Sequence, residues 1–258
     1  MLSYQHIFHA GNLADVHKHA LLCVMLQYLT AKPKPLSYIE THAGRGLYFL
    51  DAPEALKTGE AAGGIAAVRD WFDIDHPYRR ALTQVSATHG EAAYPGSPML
   101  ARYLLRDIDR LHLAELHPGE NAALTRAMAR QAKVHLQDGF DMAHAICPPD
   151  PRRGVLLIDP SYEIKSDYDR IPGIIAKLHR KWNVGVIALW YPVLSSAAHD
   201  GMIDALTALN LPKVLHSQVR FPPARDGHRM VGSGLFVVNA PYGLEAEAKR
   251  LSGLFKTL

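Results

Sequence analysis

Four carboxylates stand where an apolar run of the sequence gives way to a turn. Leu36-Ser37-Tyr38-Ile39-Glu40 leads into Thr41-His42-Ala43-Gly44-Arg45-Gly46. Leu111 to Glu115 leads into Leu116-His117-Pro118, and Lys133 to Leu136 leads to Asp138-Gly139. Gly154-Val155-Leu156-Leu157-Ile158 leads into Asp159-Pro160-Ser161-Tyr162. The last turn is the most specific. The lone pair of an adenine N6 is delocalised into the ring, which makes it a poor nucleophile. An Asp side chain and the backbone carbonyl that follows can both accept from such an amino group and favour the rehybridised nitrogen. Pro160 rigidifies the turn without needing a donor, and Tyr162 offers a flat face to a base.

The other acidic ends suit a cationic ligand that carries a ribose and an adenine. Glu115 is placed to accept ribose hydroxyls, as the acidic residue of dinucleotide folds does, and Asp138 can accept from an adenine amino group. S-adenosylmethionine, with its sulfonium, ammonium and diol, fits that description. A dinucleotide is disfavoured, because the first strand is followed by Ala43-Gly44-Arg45-Gly46 and not by GxGxxG. A GxxxxGK[ST] loop is absent as well, which disfavours P-loop hydrolysis. Each motif has a plainer reading beside the chemical one: two glycines making a tight turn, and an Asp-Pro turn ending a strand.

The elements that must position these groups alternate along the chain. A helix is expected from Asn12 or Asp15 to about Thr30, stopped by Lys32-Pro33-Lys34-Pro35. Residues 47–95 carry Ala, Arg and Leu at helical spacing and no strong strand, so they read as a helical insertion closed by the turn Tyr94-Pro95-Gly96-Ser97-Pro98. Helices are expected near 99–106, 119–131, 140–147, 167–181 and 196–209. Strands are expected at 184–190, ending at Tyr191-Pro192, and at about 213–220 and 234–239. Repeated strand–helix alternation means a mainly parallel α/β sheet with helices on both faces. The closing pair of strands implies an antiparallel element at one edge. Ligands of such sheets lie beyond the carboxyl ends of the strands.

Bulk properties set limits. The 258 residues are 48% hydrophobic and 21% charged, enough for one substantial core of ordinary globular composition. A net charge of +3 is compatible with a nucleic-acid partner but is not that of a basic tail. Cys23 and Cys147 are far apart, so neither a disulfide framework nor a zinc knuckle is supported, and a reducing cytoplasm is expected. The opening residues have no apolar signal core, and the apolar runs are too short for a membrane span. His6, His9, His17 and His19 are close in sequence but lack a second ligand set, so no metal is expected. Arg220, Arg225 and Arg229, with Arg180 and Lys181, are candidates for RNA phosphates or a solvated face. Trp190 and Tyr191 read equally as base-stacking residues or a packed corner.

Taken together the motifs resemble the RlmJ family of 23S ribosomal RNA adenine N6-methyltransferases over nearly the whole chain. The resemblance rests on Leu2-Ser3-Tyr4, Phe8-His9-Ala10-Gly11-Asn12, Ala14-Asp15-Val16 and Lys18-His19. It continues through Thr41-His42-Ala43-Gly44, Tyr94-Pro95-Gly96-Ser97-Pro98, Glu115-Leu116-His117-Pro118, Asp138-Gly139-Phe140, Ile158-Asp159-Pro160 and Leu189-Trp190-Tyr191-Pro192. It implies a Rossmann-like class I S-adenosylmethionine-dependent methyltransferase domain, residues 1–46 and 96–258, with a helical insertion subdomain at 47–95. It implies methylation of one adenine, position 2030 in the usual rRNA numbering; a cytoplasmic monomer with no membrane or metal partner is expected. The family's cofactor contacts fall on His19, His42, Ser97, Glu115, Asp138, Gly139 and Asp159, with Lys18 beside them. Asp159 is also the implied catalytic residue, and Tyr4 matches a tyrosine near the substrate adenine; Pro160 and Tyr162 complete the substrate side. Ser161 departs from the family pattern, where a second proline is common, but keeps the carbonyl after Asp159. The chain is also shorter at its C-terminal end than the family leads one to expect. Two alternatives remain open from the residues alone: an adenine N6-methyltransferase acting on DNA, and a nucleic-acid-binding protein without catalysis.

Overall fold

The structure, a computed structural model, describes residues 4–225 and 227–258; Leu2 and Ser3 of the opening motif lie outside them. Asn12 caps the first helix, its side chain accepting from Asp15 N at 2.9 Å. That helix, α1 (Leu13–Thr30), is buried without interruption from Ala14 to Cys23. It therefore has no polar face there, and its charged residues must find partners inside the protein. The strand β1 (Ser37–Glu40) follows and is buried along its length.

Between residues 47 and 95 the chain is mostly helical, with short helices α2 (Pro53–Thr58), α3 (Glu60–Gly63), α4 (Ile65–Val68) and a longer α5 (Pro77–His89). They are bracketed by two strands that are not among the elements expected from the sequence, β2 (Leu47–Phe49) and β3 (Ala93–Pro95), which pair antiparallel. Tyr94 and Pro95, expected in a turn, belong to β3. Three-residue strands are too short to show a period.

The remaining elements run α6 (Ser97–Leu104), β4 (Arg110–Ala114), α7 (Pro118–Met128), β5 (Lys133–His135), α8 (Gly139–Ile146), β6 (Gly154–Ile158), α9 (Asp167–Lys181), β7 (Val186–Leu194), α10 (Asp200–Ala208), β8 (Leu215–Arg220), β9 (Met230–Val238) and α11 (Leu244–Phe255). The main sheet has the order β5-β4-β1-β6-β7-β9-β8. Pairings β4–β5, β1–β4, β1–β6 and β6–β7 are parallel. At the far edge β9 lies antiparallel between β7 and β8, which supplies the antiparallel element expected there. With β9 as partner, β7 continues past Tyr191-Pro192 to Leu194, Pro192 lying opposite Ser233. The final helix, α11, is an addition to the expected elements; Leu244, Ala248, Leu251 and Phe255 form its buried stripe.

Each parallel strand in the middle of the sheet is buried on both faces. Val155 and Leu157 join the core under α1, α6 and α11, whereas Leu156 and Ile158 join the core under α8, α9 and α10. The chain leaves β1 toward β4 on one side and returns through β6 on the other. The turns after β1 and β6 therefore lie side by side at the switch in strand order, where open α/β sheets hold their ligands.

Candidate active site

A cavity of about 950 Å³ opens at this switch. All eleven site residues expected from the sequence line it: Tyr4, Lys18 and His19 from the N-terminal segment and α1, His42 from the turn after β1, Ser97 from α6, Glu115 from the end of β4, Asp138 and Gly139 from the start of α8, and Asp159, Pro160 and Tyr162 from the end of β6. Their separation along the chain is closed by the parallel sheet, which delivers every strand end to the same edge.

The glycine turn and the second strand end are joined through Glu115. Its Oε2 accepts from Gly44 N at 2.9 Å and its Oε1 from His117 N at 2.7 Å. Gly44 needs its φ of 58° to aim that N–H, and a Cβ there would run into the Tyr48 hydroxyl. Each Glu115 oxygen keeps a lone pair for a hydroxyl. Burial raises the Glu115 pKa above the usual carboxylate value, which the two backbone donors only partly offset. Asp138 caps α8 through Oδ1, which accepts from Phe140 N and Asp141 N. Oδ2 is left for an amino group. Gly139 is the close-approach glycine of the site: a Cβ would overlap the Thr41 carbonyl oxygen.

The fourth acidic strand end does something else. Glu40 is fully buried behind the cavity, where it accepts from Ser97 Oγ at 2.5 Å and from Tyr38 OH at 2.8 Å. Burial pushes its pKa up to about 8, although both hydroxyl bonds and Lys18 favour the anion. Ser97 thus reaches the cavity wall with its hydroxyl already donated to Glu40.

The most strongly coupled groups surround Asp159. Lys18 Nζ lies 2.7 Å from Asp159 Oδ2 and 3.2 Å from Asp15 Oδ1, and 5.4 Å from the centre of the Trp190 ring. Burial alone would lower the Lys18 pKa, but Asp159 and Asp15 outweigh it and raise it. Asp15 in turn accepts from His6 Nε2 at 2.9 Å, and His6 Nδ1 meets the Tyr4 hydroxyl at 2.8 Å. Asp15 and His6 also line the cavity, and neither is among the site residues expected from the sequence. Asp15 is read there as a cap and within a family motif without a role at the site, and nothing in the spacing of His6 ties it to Asp159.

His19 Nδ1 bonds the Tyr94 hydroxyl at 2.9 Å, while its buried Nε2 has no hydrogen-bond partner. Burial lowers its pKa to about 3, so the ring is neutral. His42 shares Nδ1 with Thr41 Oγ1 at 2.7 Å and packs edge-on against Phe140; burial lowers its pKa to about 4. Tyr162 takes a φ of 57°, stacks on Tyr168 and donates its hydroxyl to the Trp190 carbonyl at 2.7 Å. One face of its ring is therefore already covered.

Trp190 and Tyr191 are separated by the pleat of β7. Trp190 lines the cavity and donates Nε1–H to Ser233 Oγ, whereas Tyr191 is fully buried against His199 on the other face. The early histidines also diverge: His9 bonds Glu60, and His17 lies between Ser217 and Ser233. Among the described residues no group of three or more His, Cys, Asp or Glu could hold a metal ion. Arg229 lines the cavity. Lys181 is at the opposite end of α9, bonded to the His144 carbonyl, and Arg180 stands beside it.

The donor set suits S-adenosylmethionine. Acceptors at Glu115 and Asp138 match a diol and an amino group, and the buried His19 Nε2 waits for a partner. The close Gly139–Thr41 approach leaves backbone where a side chain would fill the cradle. This strand order, with one antiparallel strand inserted next to the edge and a carboxylate-lined cavity at the switch, defines a class I S-adenosylmethionine-dependent methyltransferase. The chain belongs to the RlmJ family, whose model, described as "Ribosomal RNA large subunit methyltransferase D, RlmJ", matches residues 33–257.

Two relatives carry the description "Ribosomal RNA large subunit methyltransferase J". The one from Escherichia coli K12 is 40% identical over 254 residues, covering 96% of this chain and 90% of the relative. The one from Haemophilus influenzae is 38% identical over 265 residues, covering 100% and 94%. The crystal structure of protein LPL1258 from Legionella pneumophila is similar with a TM-score of 0.86 and 34% identity, over 96% of this chain and 93% of that one.

Proposed function

We propose that this protein transfers a methyl group from S-adenosylmethionine to N6 of adenine 2030 in 23S ribosomal RNA. The observation that carries the reading is the Asp159-Pro160 turn at the cavity wall, with Asp159 Oδ2 held by Lys18 and Oδ1 left to accept. Family membership supplies the ribosomal RNA.

On this reading the cofactor side is formed by His19, His42, Ser97, Glu115, Asp138, Gly139, Asp159 and Lys18. Glu115 accepts the ribose hydroxyls and Asp138 the adenine amino group. Bound there, S-adenosylmethionine supplies an electrophilic sulfonium methyl for the N6 amino group to take up. The target adenine is unstacked from the RNA and enters between Tyr4 and the β6 turn. Asp159 Oδ1 and the Pro160 carbonyl accept from N6, which draws electron density back onto the nitrogen. Tyr162 bounds the base pocket, and its ring and hydroxyl are fixed before the base arrives, so little ordering is left for the bound state. The proton released from N6 passes through Asp159 to water. The division into a methyltransferase domain and an insertion at 47–95 belongs to the same reading, as does a monomer working in the cytoplasm. No helix among the described residues is long and apolar enough to cross a membrane.

The test is methyl transfer from labelled S-adenosylmethionine to protein-free 23S rRNA, with duplex DNA of matched length alongside and digestion to nucleosides. N6-methyladenosine from RNA alone is expected. Label in DNA alone would keep the chemistry and replace the substrate; no transfer and no cofactor binding would overturn both.

A further inference from the structure

Asp15 is the most heavily used carboxylate in the site, and helix capping explains only part of it. It stands in the first turn of α1, where an acidic residue favours the helix dipole, and its Oδ2 accepts from Gly11 N at 2.9 Å. Either function is available to a solvated side chain. Asp15 is instead 1% exposed, and a buried carboxylate is tolerated only when opposite charge and hydrogen bonds compensate it. The compensation comes from the active site: His6 Nε2 at 2.9 Å on Oδ2 and Lys18 Nζ at 3.2 Å on Oδ1.

We propose that Asp15 is the positioning residue of the catalytic centre: it holds Lys18 against Asp159 and His6 against Tyr4, and it acts through them without touching the base. The proposal rests on the reading that Asp159 is the catalytic residue. Every hydrogen bond at the Asp15 side chain runs inward to the carboxylate. The Asp15 carboxylate can only accept, so His6 Nε2 carries the hydrogen that meets Oδ2, the neutral ring accepts from the Tyr4 hydroxyl at Nδ1, and the Lys18 ammonium forms an ion pair with Oδ1 at 3.2 Å. An amide cannot reproduce this. With one oxygen and one NH2, it turns a donor toward either His6 or Lys18. With its oxygen at the Oδ2 position, an Asp15→Asn variant keeps the acceptor for Gly11 and His6 and turns its NH2 toward Lys18, so the substitution separates the cap from the charge.

The groups facing Lys18 fix what its pH dependence should be. Asp159 and Asp15 touch it, Glu40 lies behind, His6 and His19 share Asp15 with it, and Trp190 presents a ring. Burial works against its charge, and Asp15 is one of two carboxylates in contact that oppose burial. Removing the Asp15 charge brings the Lys18 titration down in pH.

The experiment measures kcat, KM for RNA and cofactor affinity from pH 6 to 10 for Asp15→Asn and Asp15→Glu, with Asp159→Ala in parallel and melting followed by circular dichroism. Asp15→Asn is expected to fold and to bind cofactor within about threefold of the parent. Its kcat should fall about 100-fold and gain an alkaline limb that the parent lacks in this range. Asp15→Glu, which keeps the charge, should recover at least a tenth of parental kcat with the parental pH profile. A folded Asp15→Asn with parental kcat overturns the proposal. So does a loss that is equal at every pH, an Asp15→Glu as inactive as Asp15→Asn, or an Asp15→Asn that cannot fold. Full turnover by Asp159→Ala would remove the functional reading itself, whereas an inactive Asp159→Ala beside a normal Asp15→Asn removes only this inference.

Discussion

Lys18 Nζ and Asp159 Oδ2 are 2.7 Å apart although 141 residues separate them in the chain. The pair joins the first helix to the end of the central strand β6, and both side chains are largely buried, at 6% and 12% exposure. Removing one member of such a pair leaves an uncompensated charge and typically costs about 3–5 kcal/mol. Lys18→Met should lie at the low end, about 3 kcal/mol by urea denaturation, since it strands Asp159 and Asp15 together and one of them can take up a proton. Lys18→Met with Asp159→Asn should be less destabilised than the sum of the single changes. Asp159→Asn alone should lower kcat by about 100-fold with the fold intact, read by single-turnover methyl transfer.

Glu40 gives a stability signature with a defined sign. Its pKa is about 8 in the folded protein against an ordinary value of 4.5. The folded state therefore prefers the protonated acid. The stabilisation is fully present below pH 4.5 and is lost as pH rises through 8, a change on the order of a few kcal/mol. Glu40→Gln is neutral throughout, so its stability relative to the parent should improve between pH 5 and 8 and level off above that. A difference that stays flat over that range would show that the carboxyl ionises freely.

His17 and His19 act in the opposite direction. Burial lowers both to about 3 from 6.5. The unfolded chain then binds more protons, and the stability these rings contribute is present above pH 6.5 and lost as pH falls toward 3. Each contributes a slope of at most about 1.4 kcal/mol per pH unit in that window. His17→Gln should remove one such increment from the stability–pH curve between pH 6 and 5, measured by urea midpoints at constant ionic strength.

Two glycines should respond oppositely to alanine. Gly139→Ala drives a Cβ into the Thr41 carbonyl, so β1 and α8 must separate at the cavity. Cofactor affinity should fall at least tenfold by calorimetry, with a lower melting temperature. At Gly173, inside α9, a Cβ meets nothing within 4 Å. Gly173→Ala should raise stability by about 0.5–1 kcal/mol and leave methyl transfer unchanged.

The parts of this fold that are legible in the sequence are those with a strong local signal. Gly154 to Ile158 is an unbroken apolar run, and Asn12 with Lys32-Pro33 marks both ends of α1. The strand-end carboxylates Glu115, Asp138 and Asp159 can be found for the same reason, since a parallel sheet guarantees that its strand ends converge. What is illegible depends on pairings remote in sequence. Leu47-Tyr48-Phe49 becomes a strand only because Ala93-Tyr94-Pro95 lies opposite. Glu40 has the same sequence signature as Asp159, yet Ser97 and Tyr38 draw it behind the cavity. His6 joins the site through side-chain contacts that no spacing rule encodes, whereas Asp15 stands three residues before Lys18 on one helix, a spacing that could have linked it to the site. The α11 helix is different: its apolar stripe has helical spacing throughout and is readable, but it follows a strand pair that looks like the end of the fold.

The first helix has one more consequence. From Ala14 to Cys23 it has no solvent face, and the same ten residues carry Asp15, Lys18 and His19. In many enzymes the working groups sit on loops that can be remodelled while the scaffold stays put. Here three of the working groups belong to the scaffold itself, while Glu115, Asp138 and Asp159 stand at the turns around it. A change of side-chain size there reaches packing and catalysis together, because the helix keeps no free face to absorb it. Heat that loosens this helix should therefore take the core and the Lys18–Asp159 pair together.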